Sequence, residues 1–370
     1  MSWSKTYRFL NASARNLHGS QRKTLVAIVV CLVEAGAMRS IDIAHTLAVR
    51  CGVKFKSAMQ RFYRFMNNRK VDDLVVWAEL THHLIIASGR LAVIAVDWTE
   101  WHVAHRVLVA AVCIGRRAMP IFAQTFSKTD IPRSQNSREN AFIKVLGSLS
   151  PLVKAAVLVF DRGFRRASLI TLLLKHDFSF VIRLAAIVKV TCPAYTGLLS
   201  EHPLKPGETV DLGECLLTIE ATARVRVVGV WMEGQNEPWW LATSLDASPT
   251  RVAEIYDRRM AVEEQFRDTK GCRFGLKMEW TQFKTCEAIN RMYLLTALAM
   301  VAWTAAGIWA SYDDPTMRYE SKSKGPRRSL ISIGIDAKTY IYRVLREGWG
   351  YLAAILPETE TRQFTWEIKK

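Results

Sequence analysis

Apolar residues fall into two rhythms along this chain. Up to about residue 88 they recur at helical spacing, and from about 90 they gather into short continuous runs. The first rhythm predicts a helix over 20–36 and a helix pair over 41–67. In the pair, Ser40 is placed to cap Ile41–Val49, Cys51–Gly52 makes the break, and Lys54–Asn67 forms the second helix. That second helix carries Lys54, Lys56, Gln60, Arg61 and Arg64, side chains suited to phosphates and base edges in a major groove. The segment therefore reads as helix-turn-helix-like, with Arg61 and Arg64 as candidate DNA contacts.

The second rhythm predicts strands at Leu91–Val96, Val103–Ile114, Met119–Phe126, Ala155–Phe160 and Phe178–Arg183, with helices at Glu139–Leu149 and Arg165–His176. Two of these strands run straight into an acid, Asp97 and Asp161. Between 186 and 248 the texture changes again. Pro193, Gly197, Pro203, Pro206, Gly207 and Gly213 punctuate β-prone runs at Cys215–Ile219, Arg224–Met232 and Trp239–Thr243. A single long helix is expected from Thr250 to Thr269, entered through Pro249. The fold expected is α/β: a helical region over 1–88, a core over 89–185 and 249–312 interrupted by a β-rich insertion at 186–248, and a helical region over 313–370.

Two apolar stretches bear on membrane insertion. Leu25–Val33 is too short to span a bilayer, and Glu34 with no small-residue cleavage site argues against a signal peptide. Met292–Ala310 is long enough, but Thr296 and Thr304 lie within it and Arg291 and Asp313–Asp314 flank it. It is read as a buried core helix.

Charge narrows the function. Fifty-one Lys and Arg face 34 Asp and Glu, a net charge of +17, which favours a polyanionic partner. Residues 1–90 hold 14 Lys and Arg against five acids, as expected of an N-terminal DNA-binding region. Seven cysteines at irregular spacing, without a CxxC pair, support neither a zinc site nor a disulfide framework, and fit a reducing cytoplasm.

Phosphodiester transfer uses two metals roughly 4 Å apart, held by hard carboxylate oxygens. Asp97 and Asp161, at the ends of adjacent strands, can supply two ligands. A third can come from the helix over 250–269. At roughly 100° per residue, Tyr256, Arg259, Glu263, Arg267 and Lys270 share one stripe, whereas Glu264 falls off it. Glu263 is thus the better ligand, with Tyr256, Arg259 and Lys270 placed to handle phosphates. His102 and His105 are set aside as ligands, since three residues along a strand puts them on opposite faces. Asn136 and Glu139, near a helix start, can either support the acids of the site or cap the helix, and the reading as caps is preferred.

These residues resemble a known family. Tyr256-x2-Arg259-x3-Glu263-x6-Lys270 is similar to the Y-R-E-K signature of insertion-sequence-four DDE transposases. Asp97 in VDWT and Asp161 in FDRGF resemble its other two acids. The resemblance implies an RNase H-like core with a β-rich insertion, Asp97, Asp161 and Glu263 as the catalytic triad, and two magnesium ions that manganese can replace. It implies terminal inverted repeats and target DNA as partners, with a homodimer pairing two ends. Trp239 stands where members stack an aromatic on a flipped base, although its neighbour Trp240 leaves that choice open. Arg162, beside Asp161, is a further candidate DNA contact, and Lys322–Arg328 is read as a DNA-contacting loop.

Overall fold

The computed structural model describes residues 4–101, 103–114, 117–131, 134–218, 222–270, 276, 280–312 and 330–336. His102, the Lys322–Arg328 stretch and nearly all of 313–370 lie outside the described residues. Five helices come first: α1 Ser4–Ser13, α2 Gly19–Ala35, α3 Ser40–Cys51, α4 Phe55–Met66 and α5 Asp73–Ala87. Gly52, at φ +61°, ends α3 in the left-handed region where a glycine carries no steric penalty, and α4 starts three residues later. Ser40 does not cap α3. Arg39 holds the cap position, and the Ser40 hydroxyl is buried without a hydrogen bond.

The strands are β1 Val93–Trp101, β2 His105–Ile114, β3 Arg117–Ser127, β4 Val157–Phe160, β5 Ser179–Leu184, β6 Lys189–Thr191, β7 Thr196–Leu198, β8 Thr209–Thr218, β9 Thr222–Val230 and β10 Trp239–Thr243. They form one ten-stranded sheet in the order β3-β2-β1-β4-β5-β10-β9-β8-β6-β7. The strands β1, β4 and β5 run parallel at its centre, and every other pairing is antiparallel. The central strands are buried on both faces, so they read in sequence as unbroken apolar runs.

One expectation about this sheet is corrected. β1 does not stop before Asp97. It continues to Trp101 because β2 pairs with it along that whole length, from Ile94↔Val112 to Trp101↔His105. The β-rich stretch continues the core sheet: β10 pairs with β5 and extends it.

The remaining helices are α6 Gln135–Leu149, α7 Leu152–Ala155, α8 Ala167–Lys175, α9 Pro249–Asp257, α10 Met260–Lys270, α11 Cys286–Tyr312 and α12 Leu330–Asp336. They cover both faces of the sheet. On one, Phe122 of β3 stacks on Phe142 of α6 and meets Trp77 of α5 edge-on. On the other, Trp101 of β1 meets Tyr293 of α11, and Asn290 accepts from the Thr125 amide at 2.7 Å. Residues Met292–Val301 are almost wholly buried, so α11 is a core helix apolar on all sides. Among the described residues no single helix is long and apolar enough to cross a membrane.

The expected single helix over 250–269 is broken. Arg258 and Arg259 form a turn between α9 and α10 that contains neither Gly nor Pro. The Arg258 carbonyl accepts from Cys113 Sγ at 3.2 Å, and its guanidinium donates to the carbonyls of Leu91 and Cys113. Cys113 of the sheet thus takes up a carbonyl that a continuous helix would bond within itself.

Across the β9–β10 ladder Trp240 faces Gly229, and a Cβ at Gly229 would lie 2.4 Å from the indole ring. Trp240 is 2% exposed, so the ring cannot move aside. Gly229→Ala is expected to cost about 1–3 kcal/mol in urea unfolding. A change below a few tenths would show that this packing is loose.

Candidate active site

The β1–β4 ladder ends at Val96↔Phe160, so Asp97 and Asp161 follow it as neighbours at the carboxyl ends of two paired parallel strands. Strand alternation gives both side chains the same face, the one covered by α10. Beyond Asp161 the chain turns away in a short 3-10 turn, Arg162–Phe164, and the Gly163 amide donates to Asp161 Oδ1 at 2.8 Å. The Trp98 amide donates to Asp97 Oδ1 at 2.8 Å.

Arg259 links two of the three acids. Its Nη1 donates to Asp97 Oδ2 at 3.1 Å and its Nη2 to Glu263 Oε1 at 2.6 Å, and its side chain is only 12% exposed. In this arrangement the guanidinium lies between carboxylates expected to share a cation. Among the described residues no three His, Cys, Asp or Glu are grouped as a ready cage for a metal. Arg259, expected beside phosphates, is engaged by acids in this arrangement. Glu264 is turned elsewhere, paired with Arg117 of β3 at 3.0 Å and with Arg267.

The local electrostatics ask for positive charge. The Asp97 carboxyl is pushed from 3.8 to about 6, first by burial and then by the neighbouring Asp161, even with Arg259 beside it. Glu263 adds to the same repulsion. A set of hard oxygen donors that is short of compensating charge fits a divalent cation by its chemistry. For such an ion to take up Asp97 and Glu263 together, Arg259 has to give up its place between them.

Aromatic and basic groups frame the acids. Tyr256, at the end of α9, is 4% exposed and meets Trp239 edge-on at 5.1 Å, while the Arg183 guanidinium lies 5.9 Å from the Trp239 ring. Burial raises the Tyr256 phenol, and the charges of Arg259, Arg183 and Asp161 all act on it, which places it among them. Of the tryptophan pair, Trp240 is core, and the half-buried Trp239 is the one that meets Tyr256. Arg162 is exposed and lines a cavity of about 220 Å³ with Arg183, His202, Trp231 and Trp240. Lys270 closes α10, and its charge acts on Glu100 of β1, three residues beyond Asp97. In α4, Lys54, Lys56, Gln60, Arg61 and Arg64 lie on the outer side, opposite a buried face of Ala58, Phe62, Phe65 and Met66.

Glu139 departs furthest from its expected role. It is not a cap but sits one turn inside α6, 2% exposed, bonded to Trp98 and Arg166. The only signal in the sequence is an acid spaced to fall on the inner face of its helix. Arg258 carries no sequence signal of its role at all.

No curated protein matches the chain. Residues 89–299, more than half of its 370, match the family model described as the transposase DDE domain, a span holding Asp97, Asp161 and Glu263 together. The chain belongs to the transposase DDE domain family.

Proposed function

We propose that the protein is a transposase of the insertion-sequence-four kind, which cuts the ends of its own element and joins the freed 3′ hydroxyl to target DNA. The observation that carries this reading is the position of Asp97 and Asp161, each one residue past the end of the β1–β4 ladder, with Glu263 tied to Asp97 through Arg259. The strand order β3-β2-β1-β4-β5, with β2 alone running against the other four, supports an RNase H-like core. On this view β6–β10 are the insertion at 186–248, flanked by the core segments 89–185 and 249–312, with helical regions at 1–88 and 313–370.

Asp97, Asp161 and Glu263 are the proposed ligands of two magnesium ions, replaceable by manganese. Those ions would activate the attacking oxygen and stabilise the leaving one. The chain's own groups do the rest. Arg259, once released from Asp97 and Glu263, offers a planar fork to a phosphate. Tyr256 and Lys270 hold the backbone to either side. Trp239, braced by Tyr256, gives a base a surface to stack on, and Arg162 binds beside the cavity. Two copies pair two terminal inverted repeats, each engaged through α4.

Incubation with magnesium and DNA bearing the repeats that border the gene tests the reading. Cleavage followed by joined products is expected. Cleavage alone would assign a nuclease that never joins DNA, and binding alone a catalytically silent DNA-binding protein.

The face of α4 makes a separate prediction. Arg61→Glu together with Arg64→Glu should weaken binding to the repeats by about tenfold or more. The slope of log K against log salt should flatten by roughly one for each phosphate that α4 ceases to neutralise. An unchanged affinity and slope would remove α4 from the DNA interface.

A further inference from the structure

Parallel strands hold their neighbours at a fixed spacing only as far as their ladder runs, and the β1–β4 ladder stops one residue before each of the two aspartates. Past that point β1 is paired only with β2, and the chain after Asp161 leaves the sheet. Backbone hydrogen bonding therefore does not set how far the two segments carrying the acids can splay. A side-chain bridge on the opposite face spans the gap. Glu139 Oε1 accepts from Trp98 Nε1 at 3.0 Å and from Gln135 Nε2 at 2.9 Å, while Oε2 accepts from Arg166 Nε at 3.2 Å. Trp98 is the residue after Asp97, and Arg166 follows the turn that begins at Asp161.

Both arms of the bridge are held. The Trp98 ring lies 5.6 Å from Phe126 and carries the Arg106 guanidinium at 5.0 Å. Arg166 also donates to Asn140 Oδ1 at 2.6 Å, to the Asn136 carbonyl at 3.1 Å and to Ser168 Oγ at 2.8 Å. The Glu139 side chain is 2% exposed and that of Arg166 is 11% exposed, so water does not substitute readily for either. A charged pair buried this deeply is a poor source of stability compared with apolar packing. Its position, joining the two segments that follow the acids, accounts for it better.

We infer that Glu139 is a positioning residue that fixes the separation of Asp97 and Asp161, and so sets the affinity of the site for divalent cations. The inference rests on the proposed metal-binding role of those aspartates. Groups that orient metal ligands typically govern affinity by about 10- to 100-fold.

The test is Mn²⁺ binding to the full chain without DNA, followed by the electron paramagnetic resonance of the free ion. Asp97→Asn marks the site itself. Glu139→Gln should weaken Mn²⁺ binding by about tenfold or more. Trp98→Phe removes one donor while leaving an aromatic ring in place and no buried charge unpaired, so it should fold even if Glu139→Gln does not, and should weaken binding several-fold. A purely structural role would lower the fraction of protein that binds without moving the dissociation constant. If folded Trp98→Phe or Glu139→Gln binds Mn²⁺ as tightly as the parent, the inference falls while the metal site stands. If the parent binds no Mn²⁺ that Asp97→Asn abolishes, the proposed site falls and the inference with it.

Discussion

Asp97→Asn is expected to slow cleavage of element-end DNA by on the order of 10³-fold or more, and yet to raise the unfolding temperature of the protein in metal-free buffer. The two effects share one cause. Asp97 is buried beside Asp161, and the burial and the neighbouring charge both push its carboxyl up from 3.8 to about 6. Between those values the folded state keeps a proton that the unfolded chain has released. Stability therefore falls as pH rises through that window, and the whole penalty is present at neutral pH. The shift corresponds to roughly 2 kcal/mol after allowance for the partly exposed side chain. Asparagine keeps the oxygen that accepts from the Trp98 amide and removes the charge. It also removes the anionic donor that a cation needs. Asp161→Asn and Glu263→Gln should cost cleavage similarly, and combining them with Asp97→Asn should add little, because ligands of one site fail as a unit. A stabilised variant that still cleaves would separate Asp97 from the chemistry.

Arg291→Met is expected to cost about 3–5 kcal/mol, the largest stability loss among single changes outside the apolar core. The Arg291 side chain is 5% exposed. Its Nε donates to Asp73 Oδ1 at 3.0 Å, Nη1 to the carbonyls of Phe65 and Met66 at 2.8 and 2.9 Å, and Nη2 to that of Val71 at 3.2 Å. One guanidinium thus satisfies the last carbonyls of α4 and joins α4 and α5 to α11. Burial pushes the Asp73 carboxyl up, and Arg291 is what pulls it back. Methionine would fill the space but strip Arg291 from a buried acid and from the carbonyls of Met66 and Val71, while that of Phe65 keeps the Asn68 amide. Adding Asp73→Asn should recover part of the loss in urea unfolding. A single-variant cost below about 1 kcal/mol would mean that water reaches these groups. Because α4 carries the basic face proposed to meet DNA, loosening this joint should also weaken DNA binding.

The parts of this molecule that could be read from the chain are those set by local rules. Val93–Val96 and Val157–Phe160 are apolar because they lie at the centre of a sheet, and the acid that ends each run marks where pairing between them stops. The glycine at position 52 and the run of cations on α4 were equally plain. What could not be read depended on partners distant in sequence. The break at Arg258–Arg259 has no Gly or Pro to announce it, and the groups that hold Arg258 there, at Cys113 and Leu91, lie far away in sequence. The extension of β1 past Asp97 depends on β2, and the joining of the β-rich stretch to the core depends on β5 meeting β10. Glu139 and Arg291 look like ordinary surface charges until their burial is seen. Arg259 kept its place on the stripe with Glu263, but its partners here are the acids.

Crystals of the full chain grown with Mn²⁺ and measured by anomalous diffraction test the central claim most directly. Mn²⁺ is expected within about 2–2.5 Å of carboxylate oxygens of both Asp97 and Asp161, with Glu263 in reach and Arg259 turned out of the gap. Ordered Mn²⁺ bound elsewhere, with Arg259 still bridging Asp97 and Glu263, would contradict it.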